Sequence, residues 1–253
     1  MNFRLLGPLV VGDGVPIRGA RERKLLGLLL LEAPAAVSRG DAARWVLGAD
    51  CGADESGVHV AVSRLRRQLR DHNIQATIER TSGGLRLVTD FDTIDSLRFK
   101  RLVREAKTLA AEGRAHAECL REAMALWRGD VLSGEDVPPH PTITELTELR
   151  FGAVEDVFAA ESATEDAPAR LAELLAWCRG NPQRERLWVL AMVALYRNGR
   201  QVEALALFQE ARNRLVASLG LEPGPELVEL ERRILCHDPT LAPVHVDGRA
   251  ALG

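Results

Sequence analysis

An arginine-rich amphipathic segment followed at once by a glycine-turned hairpin is the feature that most constrains the fold of this chain. Residues 56–71 have the period of a helix. The apolar side chains recur every three or four positions and share one face: Val58, Val62, Leu65 and Leu69. Two strand-like runs follow at 76–80 and 85–88, joined by residues 81–84, whose glycines permit a tight turn. The sequence therefore predicts a helix with a two-stranded hairpin directly after it.

The residues before this segment complete the pattern. Short apolar runs predict strands at 3–6 and 15–17, and a first helix should cover 20–32. A second helix should run from Ser38 to about Leu47, because Ser38 and Asp41 have the spacing of a capping box. Strands, three helices and a hairpin are the plan of a winged helix-turn-helix domain, whose third helix enters the major groove of DNA.

Charge is distributed unevenly along the chain. Residues 56–89 contain six arginines and two acidic residues, whereas the chain from residue 96 onward contains 20 basic and 24 acidic residues. At 100° per residue, the side chains opposite the apolar face of the third helix are Val60, Ser63, Arg64, Arg67 and Asp71. This asymmetry is expected of a nucleic-acid reader joined to a protein-interaction domain. The alternative is an ordinary amphipathic helix with a solvated arginine face.

From about residue 97 the periodicity is helical throughout. Helices are predicted at 97–111, 115–127, 142–163, 167–179, 184–198, 201–218 and 225–236. The spacing of a tetratricopeptide helix pair is found once, at Trp188, Gly199, Ala204, Phe208 and Ala211. A plain helix hairpin with small residues at its crossing would look the same. The predicted fold class is mainly α, with a winged helix-turn-helix (α+β) followed by an all-α, tetratricopeptide-like domain.

The chain has no pattern typical of an enzyme or a metalloprotein. It lacks the glycine-rich phosphate loops and the paired-histidine zinc motif, so we expect no catalytic residue, no metal and no cofactor. Cys51, Cys119, Cys178 and Cys236 are widely spaced, which favours reduced, mostly buried thiols. No apolar run approaches the roughly 20 residues of a membrane span, and no secretory signal is recognisable, so we expect no membrane association and a cytoplasmic location.

Five stretches in a fixed order resemble one family. They are residues 3–9, 62–69, 126–129, 195–205 and 219–227. Together they span about residues 2 to 240, and they resemble the Streptomyces antibiotic regulatory protein family. The resemblance implies an OmpR-type winged helix over 1–95, a bacterial transcriptional activation domain over 96–240 and a tail over 241–253.

The resemblance also implies a function. Members activate gene clusters for secondary metabolites, so the chain is expected to be a sequence-specific transcriptional activator without catalytic activity. Its expected partners are double-stranded DNA with direct repeats near promoters, a second copy of the chain in a homodimer on that DNA, and the RNA polymerase holoenzyme. Its expected location is the cytoplasm, at the nucleoid.

Carried onto this sequence, the family pattern places Arg64 and Arg66 where OmpR-type proteins contact bases or adjacent phosphates. Ser63, Arg67 and His59 are their neighbours. The helical period independently directs Arg64 and Arg67 away from the apolar face. A bidentate contact from arginine to guanine contributes about 1 to 3 kcal/mol of discrimination between bases.

Three further arginines complete the expected DNA-binding set. Arg70 on the third helix and Arg80 and Arg86 in the hairpin are expected to meet phosphates, which position a protein without specifying sequence. Two other functions remain open at this point: a helical scaffold that uses its winged-helix end as a protein interface, and a regulator whose helical domain senses a pathway metabolite. A salt titration of DNA binding would separate the scaffold from the activator.

Overall fold

The computed structural model describes residues 2–48, 56–161 and 167–241. The glycine-containing loop predicted at 48–55 lies outside these ranges from residue 49 onward, and the tail predicted at 241–253 lies outside them from residue 242 onward. Within them the chain divides into two compact units, on either side of the peptide bond between Val154 and Glu155. The functional boundary expected between residues 95 and 96 is a different division, and it stays a prediction.

The first unit contains both pairs of strands and the first five α-helices. In chain order its elements are β1 (Phe3–Arg4), β2 (Val10–Val11), α1 (Ala20–Glu32), α2 (Arg39–Leu47), α3 (Ser56–Asp71), β3 (Ala76–Thr81), β4 (Gly84–Thr89), α4 (Asp95–Thr108) and α5 (Gly113–Met124). Helix α6 (Pro141–Glu161) begins in this unit and ends in the second. The predicted order of strands, three helices and hairpin is therefore confirmed.

One strand was predicted in the wrong place. The partner of β1 is β2, with Phe3 opposite Val11, whereas the predicted strand at 15–17 contributes only an isolated bridge from Val15 to Val11. The reason is the turn between them. Gly12 has φ +53°, and the chain folds back there so that the Val15 amide donates to the Val11 carbonyl at 2.8 Å.

Helix α1 forms the centre of the first core. Every residue from Leu25 to Leu31 is buried, so this helix has no solvent stripe over two turns. It packs against α2, α3 and β4. Helix α2 begins as predicted, because the Ser38 hydroxyl oxygen accepts a hydrogen bond from the Asp41 amide at 3.1 Å. The core of the winged helix is thus built around α1, and α3 lies on its surface.

A buried carboxylate joins the amino-terminal strand to α4. Asp95 is 1% exposed and accepts hydrogen bonds from the backbone amides of Leu5, at 2.9 Å, and Leu6, at 3.1 Å. The Leu6 carbonyl in turn accepts from the amide of Arg128 at 2.7 Å. Gly7 is required here, because a Cβ at this position would lie 2.9 Å from the Cβ of Arg128. Two of the stretches that carry the family resemblance therefore meet in space.

The second unit is a stack of helices. They are α7 (Ala167–Gly180), α8 (Glu185–Arg197), α9 (Gln201–Leu219) and α10 (Pro225–Leu235). The residues with tetratricopeptide spacing lie at the crossing of α8 and α9, where Trp188, Ala204 and Ala211 are fully buried. Gly199, with φ +73°, makes the turn between these helices. A tetratricopeptide pair and a plain hairpin both account for this packing.

The cysteines differ from expectation in one respect. Cys178 is buried and Cys119 is half-buried, but Cys236 is exposed, so the expectation of mostly buried thiols is wrong for Cys236. It follows the last turn of α10, where the chain leaves the helix. These three cysteines are free thiols, and Cys51 lies outside the described residues.

Candidate nucleic-acid interface

Helix α3 presents one apolar and one polar face. Its inward face is buried through Val58, Ala61, Val62, Leu65 and Leu69. Its outward face is exposed through His59, Val60, Ser63, Arg64, Arg67 and Arg70. The predicted outward orientation of Ser63, Arg64 and Arg67 is confirmed, and the predicted contacts of these residues with DNA stay predictions.

Arg66 points toward the hairpin instead of outward. Its guanidinium group donates from Nε and Nη2 to the carbonyl oxygen of Ile78 in β3, at 2.9 and 2.5 Å. The side chain is half-buried. The family pattern assigns Arg66 to DNA, but the structure shows that this arginine fastens α3 to the hairpin.

The start of α1 holds the other side of α3. Gln68 accepts a hydrogen bond from the amide of Arg18 at 2.7 Å and donates to the carbonyl of the same residue at 3.0 Å. One turn earlier, Arg64 Nη1 lies 3.8 Å from a carboxylate oxygen of Glu22. Helix α3 is thus fixed between the entry to α1 and the hairpin, which gives its outward face a defined direction.

The remaining outward side chains have no internal partner. Within the three described ranges, Ser63, Arg67, Arg70 and His59 form no side-chain hydrogen bond and no ion pair. Exposed arginines without an internal carboxylate are available to an external anion. This property distinguishes Arg67 and Arg70 from most of the other described arginines.

The hairpin is tied to the loop before α2. Strands β3 and β4 pair in antiparallel register from Ala76 opposite Thr89 to Thr81 opposite Gly84. The amide and carbonyl of Leu85 bond to those of Val37, at 2.8 and 2.7 Å. Gly84 makes this approach feasible, since a Cβ there would lie 1.9 Å from the Val37 carbonyl oxygen. The hairpin is therefore a firmly attached wing.

The two wing arginines have different surroundings. Arg86 pairs with Glu79 directly across the hairpin, at 3.0 Å, so part of its charge is neutralised within the wing. Arg80 is exposed, and among the described residues it has no carboxylate partner. The sequence alone could not separate these two roles, because the pairing of Arg86 with Glu79 depends on the register of the two strands.

Arg39 is a neighbour that sequence reasoning missed. It occupies the first turn of α2 and shares a small surface depression with His59 of α3 and Arg80 of the wing. The capping box at Ser38 was a signal for this position, because it places Arg39 in the first turn of α2, the helix that precedes α3. Three elements thus contribute basic or imidazole side chains to one patch.

The described residues contain no cluster of three or more histidine, cysteine, aspartate or glutamate side chains able to hold a metal ion. In these same ranges no helix has the length and apolar character needed to cross a membrane. Helix α3 is basic on its outward face and is held between α1 and the attached wing, and further helices follow in the chain. This arrangement defines a winged-helix transcriptional regulator.

Comparison with known proteins agrees with this class. Residues 17–84 match the family described as transcriptional regulatory protein, C terminal, and residues 94–235 match the bacterial transcriptional activator domain. The transcriptional regulator RedD of Streptomyces coelicolor is 33% identical over 95% of this chain and 72% of its own length. The chain belongs to the Streptomyces antibiotic regulatory protein family.

Longer relatives show the same similarity over part of their length. The regulatory protein AfsR of Streptomyces griseus is 33% identical over 96% of this chain, which spans 25% of that protein. Among solved structures, Mycobacterium tuberculosis EmbR in complex with a low-affinity phosphopeptide superposes with a TM-score of 0.82. That match has 30% identity and covers 93% of this chain and 65% of EmbR. The predicted mainly helical fold with an amino-terminal winged helix is confirmed.

Proposed function

We propose that this protein is a sequence-specific DNA-binding activator of a secondary-metabolite gene cluster. It binds direct repeats near promoters as a pair of copies and recruits RNA polymerase. The observation that carries the proposal is the outward face of α3, where Arg67 and Arg70 are exposed and form no ion pair with any residue that the structure describes. Regulation in this proposal acts through binding, and no catalytic step or cofactor is part of it.

The residues of the interface divide into two groups. Arg64 and Arg67 read base edges in the major groove, with Ser63 and His59 beside them, because these side chains leave α3 on the face opposite the core. Arg70 and Arg80, which are exposed, contact phosphates. Arg66 and Arg86 are already engaged with Ile78 and Glu79. They contribute through their remaining N–H groups and their positive charge.

The two family models suggest which region of the chain carries which function. Residues 1–95 bind DNA, and residues 96–240 contact the polymerase. The matches at 17–84 and 94–235 support this division. Asp95 is the first residue of α4, and its buried contact with the amides of Leu5 and Leu6 attaches that helix to the amino-terminal strand. The protein works in the cytoplasm, at the nucleoid.

A salt-titrated binding assay tests the proposal. The probes are fragments from upstream of the neighbouring gene cluster, with scrambled DNA of equal composition as the reference. We expect preference for one direct-repeat fragment and a linear fall of log K with log salt. Arg64→Ala should remove the preference while the protein stays folded. Arg114→Ala is the matched control, because that side chain is 91% exposed on α5, away from α3.

The alternatives give different results. A protein-binding scaffold would bind no fragment better than scrambled DNA and would show little dependence on salt. For the activator, a reconstituted transcription reaction with polymerase holoenzyme should yield more transcript from the preferred promoter when the protein is added. Absence of that increase, with DNA preference intact, would leave a DNA-binding protein that does not recruit polymerase.

A further inference from the structure

We propose that Glu22 is a positioning residue for DNA reading: it holds one edge of the Arg64 guanidinium group so that the other edge faces guanine. The inference rests on the proposed function, since it concerns the same interface. It adds a residue outside the reading helix and assigns it a part in sequence discrimination.

Glu22 is a buried acid in the first turn of α1. Only 4% of its surface is exposed. Its carboxylate folds back over the start of its own helix, into space that Gly19 leaves open. A Cβ at Gly19 would lie 2.0 Å from Oε2 of Glu22. A buried carboxylate is costly unless a cation or hydrogen-bond donors compensate it.

Arg64 supplies the cation. Its Nη1 lies 3.8 Å from Oε1 of Glu22, while 63% of the arginine side chain remains exposed. In the described part of the chain, no other lysine or arginine forms an ion pair with Glu22. The pair therefore joins an acid inside the protein to an arginine on its outer face.

Hydrogen bonds next to this pair hold α3 against the start of α1. Gln68 lies one helical turn after Arg64 and forms two hydrogen bonds with the backbone of Arg18, at 2.7 and 3.0 Å. Arg18 lies four residues before Glu22, just ahead of the first residue of α1. Two consecutive turns of α3 therefore lie against the start of α1, which keeps the backbones that carry Glu22 and Arg64 close together.

The arrangement suits base recognition. A guanidinium group has five N–H donors in a planar fork, so one end can face a carboxylate while the other end meets O6 and N7 of guanine. Holding the side chain in advance reduces the conformational entropy that is lost on binding. The negative charge beside the interface also weakens attraction to phosphates in general, so it favours discrimination over total affinity.

Glu22→Gln tests this role because the change keeps size and removes charge. The probe is the DNA sequence that wild-type protein enriches from a random library, with a scrambled version as reference. If Glu22 orients Arg64, the ratio of affinities for the selected and scrambled DNA should fall by at least about fivefold, the lower end of what a bidentate arginine provides. If Glu22 acts only as a local negative charge, binding to both DNAs should tighten equally and the ratio should stay constant, which would overturn the inference.

A double-mutant cycle shows whether the effect passes through Arg64. In an Arg64→Ala background, Glu22→Gln should not change the affinity ratio further. In an Arg67→Ala background it should have its full effect. An equal effect in both backgrounds would mean that Glu22 acts through the fold and would contradict the positioning role.

The free energy of unfolding is measured in parallel, because Glu22 lies near the positive end of the α1 dipole and its negative charge therefore also stabilises this helix. If Glu22→Gln does not fold, Arg64→Lys provides the second test. Lysine keeps the charge but has no planar fork, so the affinity ratio should fall while the salt dependence stays as in wild type. An unchanged ratio for Arg64→Lys would count against a held guanidinium group.

The two levels of the proposal can fail separately. If the wild-type protein enriches no sequence from the library, the proposed function fails. If it enriches a sequence and Glu22→Gln retains the preference, only the role of Glu22 fails.

Discussion

The guanidinium group of Arg66 gives two hydrogen bonds to a single backbone oxygen, the carbonyl of Ile78, at 2.9 and 2.5 Å. This contact joins the reading helix to the wing, and it uses an arginine that the family pattern assigns to DNA. The adjacent arginines Arg66 and Arg67 on α3 therefore have different roles. Arg66 binds α3 to β3, while Arg67 is exposed on the outward face of α3.

Arg66→Ala should destabilise the folded protein. The change removes both hydrogen bonds to Ile78 and leaves the carbonyl of this buried residue without its charged donor, so we expect the free energy of unfolding to fall by about 1 to 3 kcal/mol. Arg67→Ala should change it by less than about 0.5 kcal/mol. Urea denaturation followed by circular dichroism measures both. Equal losses for the two variants would contradict the structural role of Arg66.

Arg67→Ala should instead reduce the preference of the protein for the selected DNA sequence, because Arg67 is proposed to read a base edge. Loss of one contact to a phosphate lowers the slope of log K against log salt by about one. A contact to a base would leave that slope near the wild-type value and reduce the preference for the selected sequence. The titration therefore shows which kind of contact Arg67 makes, and wild-type behaviour on both measures would exclude Arg67 from the interface.

Gly84→Ala should detach the wing from the loop before α2. An added Cβ would lie 1.9 Å from the Val37 carbonyl oxygen, and φ at Gly84 is +132°. Two hydrogen bonds between Val37 and Leu85 would be lost and the backbone strained, so we expect a loss of about 2 to 4 kcal/mol in the free energy of unfolding.

Its neighbour provides a matched control. A Cβ on Gly83 would have its nearest neighbour at 3.6 Å, an ordinary contact. Gly83→Ala should therefore change stability by less than about 0.5 kcal/mol. Hydrogen exchange at the Leu85 amide should accelerate in Gly84→Ala alone, and similar exchange in the two variants would argue against the close approach.

Asp95→Asn should weaken the connection between the amino-terminal strand and α4. Both carboxylate oxygens accept hydrogen bonds, from Leu5 and Leu6, whereas an asparagine would direct an NH₂ group toward one of these amides. We expect the free energy of unfolding to fall by about 1 to 3 kcal/mol. Wild-type stability in this variant would mean that the amides of Leu5 and Leu6 find other partners.

The same residue should make stability depend on pH. Burial raises the pKa of Asp95 above its ordinary value of 3.8, against the opposing effect of the Leu5 and Leu6 amides and of Arg128. The folded protein then holds this proton more tightly than the unfolded chain. The contribution of Asp95 is therefore complete below pH 3.8 and declines as pH rises through the raised pKa. The stability difference between wild type and Asp95→Asn should be larger near pH 4 than at neutral pH.

Thiol labelling should distinguish the cysteines of the second unit. Burial raises the pKa of Cys178 to about 12, and its side chain is fully buried, whereas Cys236 is exposed. In the native protein iodoacetamide should modify Cys236 and leave Cys178 intact until the chain unfolds. Peptide mass spectrometry measures the order, and native labelling of Cys178 at the rate of Cys236 would show that this core opens locally.

The elements that local periodicity defines could be predicted from the sequence. The bounds of α1, the cap at Ser38 and the buried face of α3 depend on residues within a few positions of each other, and all three were predicted correctly. The outward direction of Arg64 and Arg67 follows from the same period. The β2 strand was misplaced, because two-residue strands have too short a pattern to separate one apolar pair from the next.

The winged helix, its arginine-rich third helix and the helical region after it could be predicted from local patterns, because helix period and turn residues act over short distances. The partner of each charged side chain became known from the fold alone. Arg66 meets Ile78, Arg86 meets Glu79 across the hairpin, and Glu22 lies beside Arg64. These pairings depend on how separate elements are placed against one another, which no local pattern in the chain encodes.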